Sequence, residues 1–159
     1  MGKLDENRFD SMTVERATPQ YLFDQLDREF HFTLDPCATK KNAKCDKFFT
    51  KEQDGLKQDW SNDVVWVNPP YGRGVPKWIQ KGIDSDTTVV YLIPARTNTH
   101  WFHNLVINQA HELRFIKGRP KFGDDMKYGL PFPLVVVVYR VGAPLLKPEI
   151  KSMILEAEK

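Results

Sequence analysis

Cysteine is scarce in this chain of 159 residues: Cys37 and Cys45 are its only two. Their C-x7-C separation is not a zinc spacing, and two thiols make no disulfide framework, so both are expected to be reduced in a cytoplasmic protein. An excess of one charge is missing too. Twenty-three Lys and Arg face 21 Asp and Glu, a net charge of +2. That balance argues against a polybasic tail and leaves room for a basic face on a balanced body. Long hydrophobic runs are absent: the longest, Leu134 to Tyr139, is far too short to cross a bilayer. The opening stretch, Met1 to Thr13, is polar and charged and lacks the apolar core of a signal peptide. No repeat or low-complexity tract interrupts the body. What remains is a chain with 41% hydrophobic residues, of a length that buries roughly 70% of its unfolded surface in one core without staples. The expectation is a loose segment over 1–16 and one domain over 17–159 that does not enter membranes.

Hydrophobic periodicity supplies the elements. Thr18-Pro19 reads as a helix start, with the hydroxyl at the N-cap and proline at the first helical position. Tyr21, Leu22, Leu26 and Phe30 continue it at helical spacing. Phe30 to Leu34 reads as a first strand ending at Asp35-Pro36. A short helical turn is expected within Lys40 to Lys47, and a weak strand over Lys47 to Phe49. Val64 to Val67 and Thr87 to Ile93 are continuous apolar runs, the mark of strands buried on both faces. Val75 to Ile83 and His100 to Ala110 read as helices, Glu112 to Ile116 and Leu134 to Arg140 as strands, and Pro148 to Glu158 as a terminal helix. This alternation argues for an α/β fold with a single doubly wound, mostly parallel sheet. Ligands bind such sheets beyond the carboxyl ends of the strands. Two of those ends carry unusual residues: Asp35-Pro36-Cys37-Ala38 and Asn68-Pro69-Pro70-Tyr71.

The second segment has a chemical reading. An amine on a conjugated ring is a poor nucleophile because its lone pair is delocalised. Two acceptors aimed at its hydrogens draw the nitrogen toward a pyramidal geometry and concentrate that lone pair. The side-chain oxygen of Asn68 and the carbonyl of Pro69 suit the task, because two successive prolines keep these groups out of any ladder or helix. Tyr71 offers a flat face on which a base can stack. This is electrostatic preorganisation and needs no strong base. Read blandly, Asn-Pro-Pro-Tyr is a turn that ends a strand. Its position directly after a buried strand favours the chemical reading.

Val-Trp-Val-Asn-Pro-Pro-Tyr (65–71) resembles the catalytic motif of S-adenosylmethionine-dependent amino methyltransferases. Taken together, Thr18-Pro19, Leu34 to Ala38, Asn42 to Cys45, Asp59-Trp60, Asn68 to Tyr71 and Gly118 to Phe122 make the chain similar to the phage-type DNA N-6-adenine methyltransferases. The resemblance implies a compact Rossmann-like methyltransferase fold with S-adenosylmethionine as cofactor. Asn68, Pro69, Pro70 and Tyr71 would be its catalytic residues. It places Asp35, Pro36, Cys37 and Ala38 at the cofactor loop, where no G-x-G follows Leu34 and the small Ala38 would let the cofactor approach the backbone. It gives Asp59 a hydrogen bond from the cofactor's adenine amine, has Trp60 pack on that ring, and makes Thr18 and Pro19 an N-terminal cofactor element. Each has a structural alternative: a turn carboxylate for Asp35, a loop Asp with a core Trp, a helix cap for Thr18. Asp46, Glu52 and Asp54 remain equal candidates for the cofactor ribose. Cys37 has no His–acid partners that would make it a nucleophile.

The implied substrate is double-stranded DNA, in which the target adenine must be flipped out. Phosphates would be gripped by Arg73 and Lys77 after the catalytic loop, Arg96 after the Thr87–Ile93 strand, and Arg119 and Lys121 in Gly-Arg-Pro-Lys-Phe. His100 and His103 either touch DNA or face solvent, and no metal is assigned. The stretch 123–129 reads as a flexible loop that orders on DNA. Lacking space for a separate recognition domain, the chain should read a short or relaxed site, and its oligomeric state is left open. The cytoplasm of an infected cell is the expected location. Two alternatives stand beside this reading: an enzyme with the same motif acting on an RNA base or a protein glutamine, and a DNA-binding module of the same fold without turnover.

Overall fold

A computed structural model describes residues 17–122, 129–144 and 147–156; the expected loose segment 1–16 and most of the expected loop 123–129 lie outside them. Helix α1 (Gln20–Phe30) buries Leu22, Phe23, Leu26 and Phe30, one turn apart on a single face. The helix therefore runs through Phe30, and the first strand, β1, is confined to Leu34–Asp35 rather than starting at Phe30. His31, in the left-handed conformation, makes the break, its N–H donating to the Asp27 carbonyl. At the other end the N-cap is Pro19, whose carbonyl accepts from Leu22 and Phe23; no side chain caps the helix. The N-cap expected at Thr18 is thus not formed, because its hydroxyl is engaged elsewhere.

The chain continues through β2 (Lys47–Phe48), a 3-10 turn (Gly55–Lys57), β3 (Val65–Val67), α2 (Val75–Asp84), β4 (Val89–Pro94), a π-helix (Phe102–Ile107), β5 (Glu112–Ile116), β6 (Leu134–Tyr139) and β7 (Glu149–Met153). One sheet results, in the order β2-β1-β3-β4-β6-β5-β7. Four of its six described pairings are parallel, and β6 is antiparallel to both neighbours. Alternation along the strands divides the core between two faces. Trp66, Val90, Leu92, Val136 and Val138 pack with α1; Val65, Val67, Tyr91, Val135 and Val137 pack with Val75 and Ile79 of α2 and Phe102 and Val106 of the π-helix. The terminal segment departs from expectation. Ile150, Met153 and Ile154 have helical spacing, yet Glu149–Met153 forms β7, a parallel partner of β5. The open edge of β5 overrides local preference there, and only Met153 of the strand is buried.

Glu112 is buried and charged. It accepts from Arg114 Nε at 2.8 Å and is paired with Arg140 at 3.1 Å and Lys151 at 2.9 Å. Arg114 also reaches Glu29 of α1 at 2.6 Å, and both arginines lie over the Phe30 ring. The cluster ties α1 to β5, β6 and β7. Burial pushes the Glu112 carboxyl up, but the bonds from Arg114 and Lys151 outweigh it and hold the pKa down at about 2. A depressed acid stabilises the fold above the ordinary glutamate range and loses that contribution as pH falls toward 2. In acid-denaturation curves followed by circular dichroism, Glu112→Gln should flatten this acid limb and lower stability at neutral pH by about 2 kcal/mol.

Candidate active site

The strand order places β1 between β2 and β3, so the chain leaves β1 to one side and returns on the other. A crevice opens at such a switch point beyond the carboxyl ends of the strands. Here it is a cavity of about 320 Å³, within the range of small-ligand sites. Thr18, Asp35, Pro36, Cys37, Ala38, Asn68 and Pro70 all line it, which brings together two segments read separately in the sequence. Pro19, Pro69 and Tyr71 are not in the lining; Pro19 is the N-cap of α1, one residue beyond Thr18.

Asn68 follows the last residue of β3, where Pro69 and Pro70 can donate nothing further to the ladder. Its Nδ2 donates to Thr18 Oγ1 at 2.8 Å. That bond explains the missing helix cap and fixes which way the amide points. The other end, Oδ1, is buried with no hydrogen-bond partner among the described residues. An unmet buried acceptor costs about 1–3 kcal/mol, which marks a place reserved for a donor. Tyr71 is only 1% exposed, with its ring edge-on to Phe132 at 5.8 Å. A base can lie on its face only where this packing gives way. Burial also pushes the Tyr71 phenol far above its ordinary range.

Asp35, at the end of β1, is 4% exposed. Its carboxylate accepts from Lys44 N at 3.0 Å and Cys37 N at 3.4 Å, closing the loop that leaves β1. The turn-forming role and a place in the cavity wall therefore coexist. Burial pushes its pKa up to about 6, against the opposing pull of those amides and the Lys44 charge. The same burial, with Asp35 alongside, pushes the Cys37 thiol up to about 12, so it is no thiolate nucleophile.

Asp59 and Trp60 take different places. Asp59 is exposed, its carboxylate accepting from Ser61 N, and it is outside the lining. Trp60 is buried behind the wall, donating Nε1–H to the Gly55 carbonyl at 2.9 Å and stacking on Trp78. Trp78, which sequence reasoning did not single out, lines the cavity instead. Of the three acidic candidates for a sugar, Asp54 alone lines it, in a left-handed conformation (φ 53°) with one carboxylate oxygen capping Leu56 N. Gly55 makes the close approach possible: a Cβ built there would lie 2.0 Å from the Pro36 carbonyl oxygen.

The five expected phosphate contacts share one edge. Arg73 and Lys77 follow β3, and Arg96 follows β4. Since β4 and β5 both pair antiparallel with β6, they point the same way. Arg119 and Lys121, after β5, therefore emerge at the same carboxyl-end edge as Asn68. Lys77, Arg96, Arg119 and Lys121 are exposed, and Arg96 lies over the Phe132 ring. His100 and His103 are exposed after β4, and His103 Nε2 is 2.7 Å from the Thr97 carbonyl oxygen.

A mostly parallel sheet with one reversed strand, β6, and its cavity at the switch beside β1, is a compact Rossmann-like methyltransferase fold. The chain belongs to the DNA N-6-adenine-methyltransferase (Dam) family, which its residues 9–130 match. It is 34% identical over 105 residues to the DNA N-6-adenine-methyltransferase of Haemophilus phage HP1 (strain HP1c1), covering 63% of this chain and 60% of that protein. Over 99 residues it is 34% identical to the DNA N-6-adenine-methyltransferase of Escherichia phage T1, covering 59% of this chain and 41% of that protein. The match thus spans less than two thirds of either relative.

Packing at Gly55 gives a direct check on the wall. Gly55→Ala should force Pro36 or the 3-10 turn outward and lower stability by about 1–3 kcal/mol in thermal denaturation.

Proposed function

We propose that the protein transfers a methyl group from S-adenosylmethionine to the N6 amine of a flipped-out adenine in double-stranded DNA. The observation that carries this reading is Asn68, a residue of the cavity wall with one end of its amide tied to Thr18 and the other left as a buried acceptor without a partner among the described residues. S-adenosylmethionine fits the groups present. Asp35 offers a carboxylate to a cationic ligand, Asp54 has a carboxylate oxygen free among the described residues for a ribose hydroxyl, and Gly55 and Ala38 leave the backbone approachable. Thr18, Pro36 and Cys37 also belong to the wall. When bound, the cofactor supplies an electrophilic methyl group on a sulfonium centre.

The chain's own residues prepare the acceptor. Asn68 Oδ1 and the Pro69 carbonyl accept the two amine hydrogens, drawing the nitrogen lone pair out of conjugation. Because these oxygens are held by β3, two prolines and the Thr18 bond, little reorganisation is needed as positive charge develops on the amine. Pro70 and Tyr71 keep the loop rigid, and stacking of the base on the 1% exposed Tyr71 requires the packing around its ring to give way. Arg73, Lys77, Arg96, Arg119 and Lys121 contact phosphates along the carboxyl-end edge. Such a substrate puts the enzyme in the cytoplasm of an infected cell. Among the described residues no helix is long and apolar enough to cross a membrane.

Purified protein given duplex DNA and methyl-labelled S-adenosylmethionine should label adenine N6, and Asn68→Ala should lower kcat by about 10²- to 10³-fold while circular dichroism shows the fold retained. Label appearing in RNA or protein instead would redirect the substrate, and unchanged turnover in Asn68→Ala would overturn the mechanism. Asp35 adds a pH dependence. A raised carboxyl favours folding most at low pH, and that contribution is lost as pH rises from the ordinary aspartate range through about 6. Binding of a cation runs the other way, because it needs the ionised form. Calorimetric affinity for S-adenosylmethionine should be about tenfold weaker at about pH 5 than above neutrality, and Asp35→Asn should remove the dependence.

A further inference from the structure

We propose that Trp78 is the platform on which the purine of the cofactor lies, a positioning role that rests on reading the cavity as an S-adenosylmethionine site. Two aromatic side chains line the cavity, Trp66 and Trp78. The Trp66 ring is already spent on the core: it is 1% exposed, with Phe23 edge-on at 5.5 Å and Phe32 tilted against it at 5.6 Å. Trp78 is only half-buried. Its ring is held from behind by Trp60, near-parallel at 21° with centroids 6.2 Å apart, and Trp60 is itself pinned through Nε1 to the Gly55 carbonyl. The platform is therefore rigid before any ligand arrives, which lowers the ordering cost of binding.

Gly55 adds no side chain against the edge of that ring. A Cβ there would come within 3.1 Å of Trp78 Cη2, as well as onto the Pro36 carbonyl. The position next to a flat indole thus carries no side chain. Its neighbour Asp54, in the same lining and with one carboxylate oxygen unpartnered among the described residues, is the polar group a nucleoside sugar requires. A planar base against Trp78 with its sugar toward Asp54 is a nucleoside subsite. Stacking of this kind is insensitive to the identity of the base, so Trp78 supplies affinity and orientation. The hidden Trp60 contributes by backing it and touches no ligand.

The test uses the full chain and two probes that share adenosine and differ in the amino-acid end, S-adenosylhomocysteine and 5′-methylthioadenosine. Trp78→Leu should weaken both by about tenfold or more in calorimetry, and by the same factor, because only the adenosine end has lost its partner. Trp78→Phe, which keeps a flat face, should stay within about threefold of the wild type. Ligand-induced quenching of tryptophan fluorescence in the wild type should largely disappear in Trp78→Phe. Unchanged affinity in Trp78→Leu, or quenching in Trp78→Phe as strong as in the wild type, overturns the platform alone. If Trp78→Leu does not fold, the fluorescence of Trp78→Phe decides. A wild type that binds neither probe overturns the cofactor reading as well.

Discussion

The place of β1 in the sheet governs everything around the site. Because β2 pairs on one side of it and β3 on the other, the loops that follow β1 and β3 must part, and the gap between them cannot be closed by ladder hydrogen bonds. What lines the gap is then decided by the residues that end two very short strands. Asp35 ends one and Asn68 follows the other. Both are polar groups in largely dry surroundings, and each is oriented by bonds to groups that are distant in sequence or belong to the following loop. The sheet makes the cavity, and these bonds give it chemistry.

The two polar groups are treated differently. Both oxygens of Asp35 are met by backbone amides, so the carboxylate is anchored while burial keeps its proton affinity high. Among the described residues Asn68 is satisfied at nitrogen only. A neutral amide tolerates this better than a charge would, since an unpaired buried carboxylate costs far more than an unpaired carbonyl. A carboxylate at position 68 could not donate to Thr18 and would bring that extra cost. The amide is thus suited to this wall on physical grounds, independently of any resemblance.

Much of this was legible in the sequence, and the reasons for the remainder are physical. The runs around Val64–Val67, Thr87–Ile93 and Leu134–Tyr139 are continuous and apolar because both faces of the central sheet are covered, and they became β3, β4 and β6. The Asn-Pro-Pro-Tyr loop was visible for the same reason, as polar residues directly after such a run. β7 was not: Ile150, Met153 and Ile154 satisfy a helical period, and only the open edge of β5 makes the segment a strand. Thr18 was visible as a helix cap and not as the partner of Asn68, because fifty residues separate them in the chain. Trp78 sits in the amphipathic pattern of α2, which cannot separate an indole facing a cavity from one facing the core. Asp54 could not be told from Asp46 and Glu52 until the 3-10 turn set it in the wall.

A site carried by strands of two and three residues gains little rigidity from its ladders. Here rigidity comes from crossed side-chain and backbone contacts. Asp35 closes the loop after β1, Gly55 packs on the carbonyl of Pro36, Trp60 holds Gly55 and backs Trp78, and Thr18 holds Asn68. The Thr18 contact also reaches α1, whose far end is bound to β5, β6 and β7 through Glu29, Arg114 and Glu112. Position at the site is thus coupled to the opposite side of the sheet by one helix. Of these contacts the Thr18 bond is the one made beside the start of α1, while Gly55 and Trp60 are held by Pro36 and by each other, without α1.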